Sequence, residues 1–346
     1  MSWKTTLYEY VHYKNQMNLD YTVVPLLPFV TDTQYLQAQI KRLARASQTD
    51  QDRQFFPVKH EARLTIVQAS EQPRAVTAAV RLRQVAVGMI GLAEHQEERV
   101  EWERITLQEQ GGRWVITQIQ VTGHEGDHPD HIRVDTQLPD KVRISEYGNS
   151  GEDDLFVKLP SMPFLNYEVL PYLDRSPRQF KYDRNKSIQY AELWWDKANP
   201  AYIEFEVDCT NFVSQCLFAG GAPMHYTGKR DSGWWYRGRH NGQEHWSFSW
   251  AVAQSLQAYM MNNHSGWQVE EAETADLLEL GDVISYDWKG DGRFRHSAVV
   301  TAKDANGMPL VNAHTTNSRH RYWSYRDSYA WTEKTRYSFL HVIDAP

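Results

Sequence analysis

The sequence of 346 residues predicts an α+β chain in two parts, and three observations predict it. Before residue 122, apolar residues recur first at helical spacing and then at period two. After residue 181 the same order returns, helices first and short strands second, which suits helices packed on one face of an antiparallel sheet. Between the two lies a stretch rich in Pro, Gly and acidic residues with little periodicity. The expected divisions are an N-terminal α+β domain over 1–122, a linker over 123–180 and a second domain over 181–346, and the length agrees with two domains.

In the first part, Trp3, Leu7 and Val11 share a helix face. A second helix follows Asp32, with Leu36, Ile40 and Leu43 on its apolar side. The period then becomes two: Val58, His60, Ala62, Leu64 and Ile66, followed by Val76, Ala78, Val80 and Leu82. The stretches "RVEWERITLQ" and "RWVITQIQV" flank Gly111-Gly112, the signature of a hairpin turn. Helices followed by a run of antiparallel strands resemble the cone-shaped fold of the nuclear transport factor and ketosteroid isomerase superfamily, a resemblance with no motif behind it. A cystatin-like or other helix-on-sheet unit fits the same pattern.

The linker holds His124-Glu125-Gly126-Asp127-His128, which matches the H-E-x-x-H pattern of zinc peptidases. That chemistry needs both imidazoles on one face of a stable helix, and Gly123, Gly126 and Pro129 oppose one. No metal site is expected here. The segment "DWKGDGRFRH" lacks the alternating oxygen ligands of a calcium loop and reads as a polar hairpin. No G-x-S-x-G elbow or phosphate-binding loop occurs, and no cofactor is implied.

In the second part, Asp183 caps a helix bearing Ile188, Ala191, Trp194 and Trp195, ending before Asn199-Pro200. The stretch "FEVDCTNFVSQCLFAGGAPM" then holds both cysteines of the chain, Cys209 and Cys216. Seven helical residues span about 10.5 Å, more than the about 7 Å between Cα atoms that a disulfide tolerates, so the two are not expected to pair. Positions 209, 212, 213, 216 and 217 form the stripe of a core-facing helix ending at Gly220-Gly221. Cys216 is expected to be packing. Cys209 opens the helix, where backbone N–H groups and the dipole favour an anion and predict a lowered thiol pKa. A further helix spans about Ser249 to Met261, and the strands "DVISYD", "HSAVVT" and "PLVNAH" follow. His296 opens the second of these and His314 ends the third, so neighbouring strands can bring both imidazoles to one sheet edge. A thiol nucleophile needs an imidazole to take its proton and return it to the leaving amine, and that imidazole needs an orienting partner.

Here the residues resemble a known family. The order Cys, His, polar residue is that of papain-like cysteine enzymes. "DCTNFVSQCL" is similar to the "DCSGFV" signature of NlpC-type cell-wall peptidases, and "GDVISYD" with "HSAVV" to their Gly-Asp and His strands. More specifically, Tyr190-Ala191, "DCTNFVSQCLFAGGAPM", Gly233 to Tyr236, Ser249-Trp250, His296-Ser297 and His314-Thr315 resemble the "putative amidase domain" family of that superfamily. The resemblance covers residues 181–346. It implies a papain-like fold with Cys209 as nucleophile, His296 as base and then acid, and His314 as orienting residue. It also implies an oxyanion donor near the cysteine, for which Tyr190 or Tyr202 is a candidate beside the backbone N–H of Cys209. Asp208 reads as the helix cap and supporting carboxylate; beside a thiolate it would raise the thiol pKa.

The expected function is a cysteine amidohydrolase or peptidase acting on a peptide-like amide, with bacterial cell-wall stem peptide as the substrate the resemblance implies. Two rivals use the same residues: a catalytically silent peptide- or glycan-binding module, and an acyltransferase passing the thioester to an amine. The Trp-rich segment 233–250 offers Trp234, Trp235 and Trp250 either to a substrate or to the core. A net charge of −7 argues against nucleic acid as the main partner. No run approaches the roughly 20 apolar residues of a membrane span. The opening "MSWKTTLYEYVHYKNQMN" lacks the layout of a secretory signal, which favours a cytoplasmic protein unless a leader is missing, in tension with a wall substrate. The first 122 residues carry no nucleophile–base pattern; placing substrate, binding a partner and self-association are the roles open to them.

Overall fold

The N-terminal helices form where the sequence offers caps. Helix α1 (Trp3–Asp20) starts on Ser2, whose hydroxyl accepts from the Thr5 N–H at 3.2 Å. Helix α2 (Thr33–Asp52) starts on Asp32, whose Oδ1 accepts from the Tyr35 N–H at 3.0 Å. The other oxygen of Asp32 accepts from the Ile119 N–H at 2.8 Å, fastening the helix start to a strand. In this computed structural model, residues 2–125, 181–240, 242–262 and 267–343 are described. Most of the expected linker, including Gly126 to Pro129, lies outside them.

Four antiparallel strands follow: β1 (Phe55–Gln72), β2 (Ala75–Ile90), β3 (Ala93–Gln110) and β4 (Arg113–Thr122). Gly111 and Gly112, at φ +57° and +80°, make the tight turn between β3 and β4. Trp3, Leu7 and Val11 are buried with Val76, Ala78, Val80 and Leu82 in one core between helices and sheet. Two expectations fail here. Val58 is exposed, because the β1–β2 register shifts between Pro57 and Lys59 and flips the parity of the strand. Ile40 is 53% exposed, while its neighbours Gln39 and Arg42 are buried. Helix α2 turns that polar side toward the second half: Gln39 Nε2 donates to the Tyr329 hydroxyl at 2.6 Å, and Arg45 donates to the carbonyls of Arg326 and Ser328 at 2.7 and 2.9 Å.

In the second half, α3 (Arg184–Trp194) starts on Asp183 and α4 (Cys209–Ala219) ends at Gly220. A hairpin, β5 (Tyr236–His240) and β6 (Gln243–Trp246), leads to α5 (Phe248–Ala251) and α6 (Ala253–Asn262), where one helix is expected; the extended Val252 breaks it. The remaining strands are β7 (Gln268–Ala272), β8 (Val283–Asp287), β9 (His296–Lys303), β10 (Pro309–Ala313), β11 (Asn317–Tyr322) and β12 (Arg336–Ile343).

One sheet runs through both halves in the order β1-β2-β3-β11-β10-β9-β8-β12-β7, with β4 also on β3. The join is antiparallel, Asn317 to Val100, Ser318 to Arg99 and Arg319 to Glu98. Strand β3 is long enough to hold β11 along its first half and β4 along its second. The architecture is mixed α+β with an antiparallel sheet. Around the junction of α4 and β9 the sheet has two distinct sides: Val283 and Val299 pack with Phe212 and Cys216, whereas Ile284, Tyr286, Ala298 and Val300 pack with Trp288 and Tyr325.

Candidate active site

Cys209 occupies the first turn of α4 and is 1% exposed. Burial pushes its thiol up; the Ser297 N–H and the Thr210 and Thr315 hydroxyls pull the other way, and the Asp208 carboxylate adds to the rise. The lowered pKa expected from the helix terminus is therefore overturned, because desolvation at a fully covered sulfur exceeds the help of the helix start. Thr210 Oγ1 lies 3.4 Å from Ser297 Oγ, tying the first turn to the second residue of β9. Thr315 holds a left-handed backbone, φ +84°, which a β-branched residue adopts at a cost of order 1–3 kcal/mol. Cys216, two turns deeper, is a core residue whose thiol burial pushes far up. Both cysteines are free.

Asp208 does not cap its own helix N–H groups. Its Oδ1 accepts from the Phe205 N–H at 3.1 Å and the Asn211 side chain at 2.8 Å, and its Oδ2 meets His314 Nδ1 at 2.7 Å. It braces the loop before the helix instead. His314 Nε2 lies 2.7 Å from the Trp194 carbonyl, and the ring stacks on Phe212 with centroids 4.1 Å apart. Both nitrogens of His314 are thus committed, one to a carboxylate and one to a carbonyl at the end of α3. A carbonyl only accepts, so Nε2 carries a proton.

His296 is fully buried. Its side chain alternates with that of Ser297, and its ring lies 5.1 Å from Tyr325, 5.2 Å from Tyr286 and 5.8 Å from Trp288, centroid to centroid. Behind that aromatic group, Arg321 stacks on Tyr325 at 3.8 Å and donates to Glu125 Oε1 at 2.6 Å. Burial raises the Glu125 carboxyl, but Arg321 and then His296 outweigh it and hold the group below its ordinary range. Glu125, read in the sequence only as part of a spurious zinc pattern, is thus an internal carboxylate bound by Arg321 and by the Ser328 hydroxyl. No local signal marks it.

The structure brings the first turn of α4 against Ser297 and joins Asp208 to His314, but it sets the His296 ring on the opposite side of β9, with Tyr286, Trp288 and Tyr325, and not beside the Cys209 thiol. The Tyr190 hydroxyl, a candidate oxyanion donor, donates to Gln215 Oε1 at 2.6 Å and accepts from Asn199 at 2.8 Å. Tyr202 packs against Tyr236 and Trp250. Trp234, Trp235 and Trp250 are buried; their indole N–H groups donate to Ser214, the Ser232 carbonyl and Asn211 at 3.0, 3.0 and 2.8 Å. Trp234 and Trp250 lie within the core of this half, and Trp235 is buried edge-on against Tyr226. Among the described residues, no group of three or more His, Cys, Asp or Glu is arranged to hold a metal ion, and no helix is long and apolar enough to cross a membrane.

Residues 181–340 match the family model described as "Putative amidase domain". "Uncharacterized protein YhbB" of Bacillus subtilis (strain 168) is 52% identical over 167 residues, which cover 48% of this chain and 52% of that protein. "Uncharacterized protein YjcM" of the same organism is 29% identical over 144 residues, covering 39% of this chain and 31% of that protein. The chain thus spans about half of the first relative's length and a third of the second's. A solved structure, the intermembrane space region of chloroplast protein ARC6, aligns with 35% of this chain and 96% of that one at 16% identity; its TM-score of 0.25 is too low to indicate a shared fold.

Proposed function

We propose that residues 181–346 form a cysteine amidohydrolase cleaving a peptide-like amide, with Cys209 as nucleophile and His296 as base and then acid. The observation that carries this is the helix-opening thiol set against the N–H of Ser297, the residue after His296, within a segment similar to an amidase family. His314 has no nitrogen to spare for the thiol proton without breaking a bond to Asp208 or Trp194; His296, whose ring lies on the side of β9 opposite Ser297, has to turn toward the sulfur to serve as the base that the family resemblance implies.

The buried thiol rests protonated and is activated as it reacts. His296 takes the sulfur's proton as sulfur bonds to the amide carbon. The resulting oxyanion is met by the Cys209 N–H, one of the orphan donors at a helix start. Collapse breaks the C–N bond, and the amine leaves with the proton from His296. Water, deprotonated by the same imidazole, then cleaves the thioester to give the acid and the thiol. His314 acts as a positioning residue, tying the Asp208 carboxylate before the helix to the end of α3. The cell-wall stem peptide is the first substrate to try.

The test is release of amine from purified stem peptides and simple peptide amides, followed by mass spectrometry with the full chain. Cys209→Ala and His296→Ala are each expected to lower turnover by about 10³-fold or more. His314→Gln, which breaks only the brace, is expected to cost about 10-fold and to shift the pH profile. Undiminished turnover in Cys209→Ala would sink the proposal.

A further inference from the structure

The N-terminal sheet has a face that α1 and α2 do not cover. Leu64, Val80, Leu82 and Ile105 pack toward those helices, so their strand neighbours Arg63, Arg81, Arg83 and Arg104 stand on the opposite face. The register gathers the four. Arg63 is paired with Arg83, Arg81 with Trp102, and Arg104 with Ala79, which lies two residues along β2 from Arg81. Side chains directly opposite on one face stand about 5 Å apart at Cβ, and diagonal ones about 7–8 Å. From the row of Arg83 out to the β1–β2 turn, the positions of β1 to β4 on this face hold no carboxylate.

The adjoining carboxylates are already balanced. Glu61 lies 3.0 Å from Lys59, and Arg83 lies 2.9 Å from Glu98 and 3.3 Å from Asp196. With those pairs counted, Arg63, Arg81 and Arg104 remain, and none of the three enters an ion pair among the described residues. Arg63 and Arg104 are exposed, and Arg81 is half-buried beside the half-buried Trp102. Like charges set across neighbouring strands destabilise a sheet, so the cluster is a cost that an outside anion would remove. All three free cations are guanidiniums, whose planar fork matches a carboxylate. Alternate residues of an extended chain repeat at about 6.5–7 Å, close to the spacing of the arginines. A single tryptophan is too little for a run of stacked bases.

We propose that this open sheet face docks an extended acidic segment of a partner protein, its alternate carboxylates paired with Arg63, Arg81 and Arg104. The surface belongs to the N-terminal half and does not depend on the amidase reading.

The test measures binding of fluorescein-labelled peptides to the full chain by anisotropy. A short peptide alternating Glu and Thr is expected to bind saturably and to weaken as salt is added; its Gln–Thr counterpart should not bind. Arg81→Glu combined with Arg104→Glu is expected to weaken binding by about tenfold or more. Arg63→Glu combined with Arg104→Glu, both at exposed positions, serves as the second variant should the half-buried Arg81 be needed for folding. Lys4→Glu combined with Lys41→Glu makes the same change of charge at exposed positions of α1 and α2 and should leave binding as in the parent. No saturable binding of the Glu–Thr peptide, or undiminished binding in both arginine variants, would overturn the proposal. So would an equal loss in the lysine variant, or equal binding of an oligothymidylate, which would make the face a general polyanion surface. Dimerisation of the parent that the arginine changes abolish, read by sedimentation, would make a second copy the occupant and overturn it as well.

Discussion

Around Lys14 the N-terminal half buries an ammonium with two carboxylates: Nζ lies 3.1 Å from Glu101 and 2.5 Å from Glu103, while Tyr10 donates to Glu103 at 2.9 Å and meets the Tyr35 hydroxyl at 2.8 Å. Around Trp250 the C-terminal half buries rings, with Trp234 and Tyr236 at 5.0 and 5.6 Å and the indole N–H given to Asn211. The same sheet supports both. The first core depends on charge balance, since removing one partner strands the others in a poor solvent. The second depends on volume and on single N–H donors. The two halves should therefore fail under different insults.

The largest effect is expected from Trp250→Ala, about 3–5 kcal/mol for the lost ring with a further cost for the orphaned Asn211. Urea unfolding should show it equally at neutral and mildly acidic pH. Lys14→Met should cost about 3–5 kcal/mol near neutrality, and its deficit should shrink in acid. The sign follows from Glu101: burial raises its carboxyl, but Lys14 and Arg99 outweigh that and hold it below the ordinary range. Its stabilisation is present above the unfolded value near pH 4.3 and is lost as pH falls. A deficit independent of pH would erase the contrast between the halves.

Asp50 titrates in the opposite sense. Burial, against the pull of Arg53, pushes its carboxyl up to about 7. Between the unfolded value near 4 and about 7 the folded chain holds a proton that the unfolded chain has released, so stability falls as pH rises through that window. Asp50→Asn should remove that slope, a change on the order of 2 kcal/mol after allowing for partial exposure, read by urea unfolding from about pH 5 to pH 8. Smallest of all, Ile40→Ser should change stability by no more than about 0.5 kcal/mol. A larger loss would mean that α2 packs on its apolar side after all.

Much of the secondary structure was legible because its causes are local. Asp32 and Asp183 cap from within one turn, Gly111-Gly112 needs only two positive φ angles, and Trp3, Leu7 and Val11 need only helical spacing. Ile40 and Val58 were misread because a distant loop covers the polar side of α2 and a bulge resets β1. At the candidate site, the helix-opening Cys209 and the two imidazoles could be picked out by type and order. Their surroundings could not: His314 finds Asp208 and Trp194 across 106 and 120 positions, and Glu125 meets Arg321 across 196.

The sequence by itself determined the capped helices and the regularly alternating strands, where Cys209 sits on its helix and that the cysteines stay unpaired, since each follows from spacing, caps and chain reach. Only the tertiary structure decided that β3 and β11 merge two halves into one sheet, that burial pushes the Cys209 thiol up and that Trp234 and Trp250 are core. Those outcomes depend on desolvation and on partners brought together from remote positions, and neither quantity is defined until the chain has closed around them.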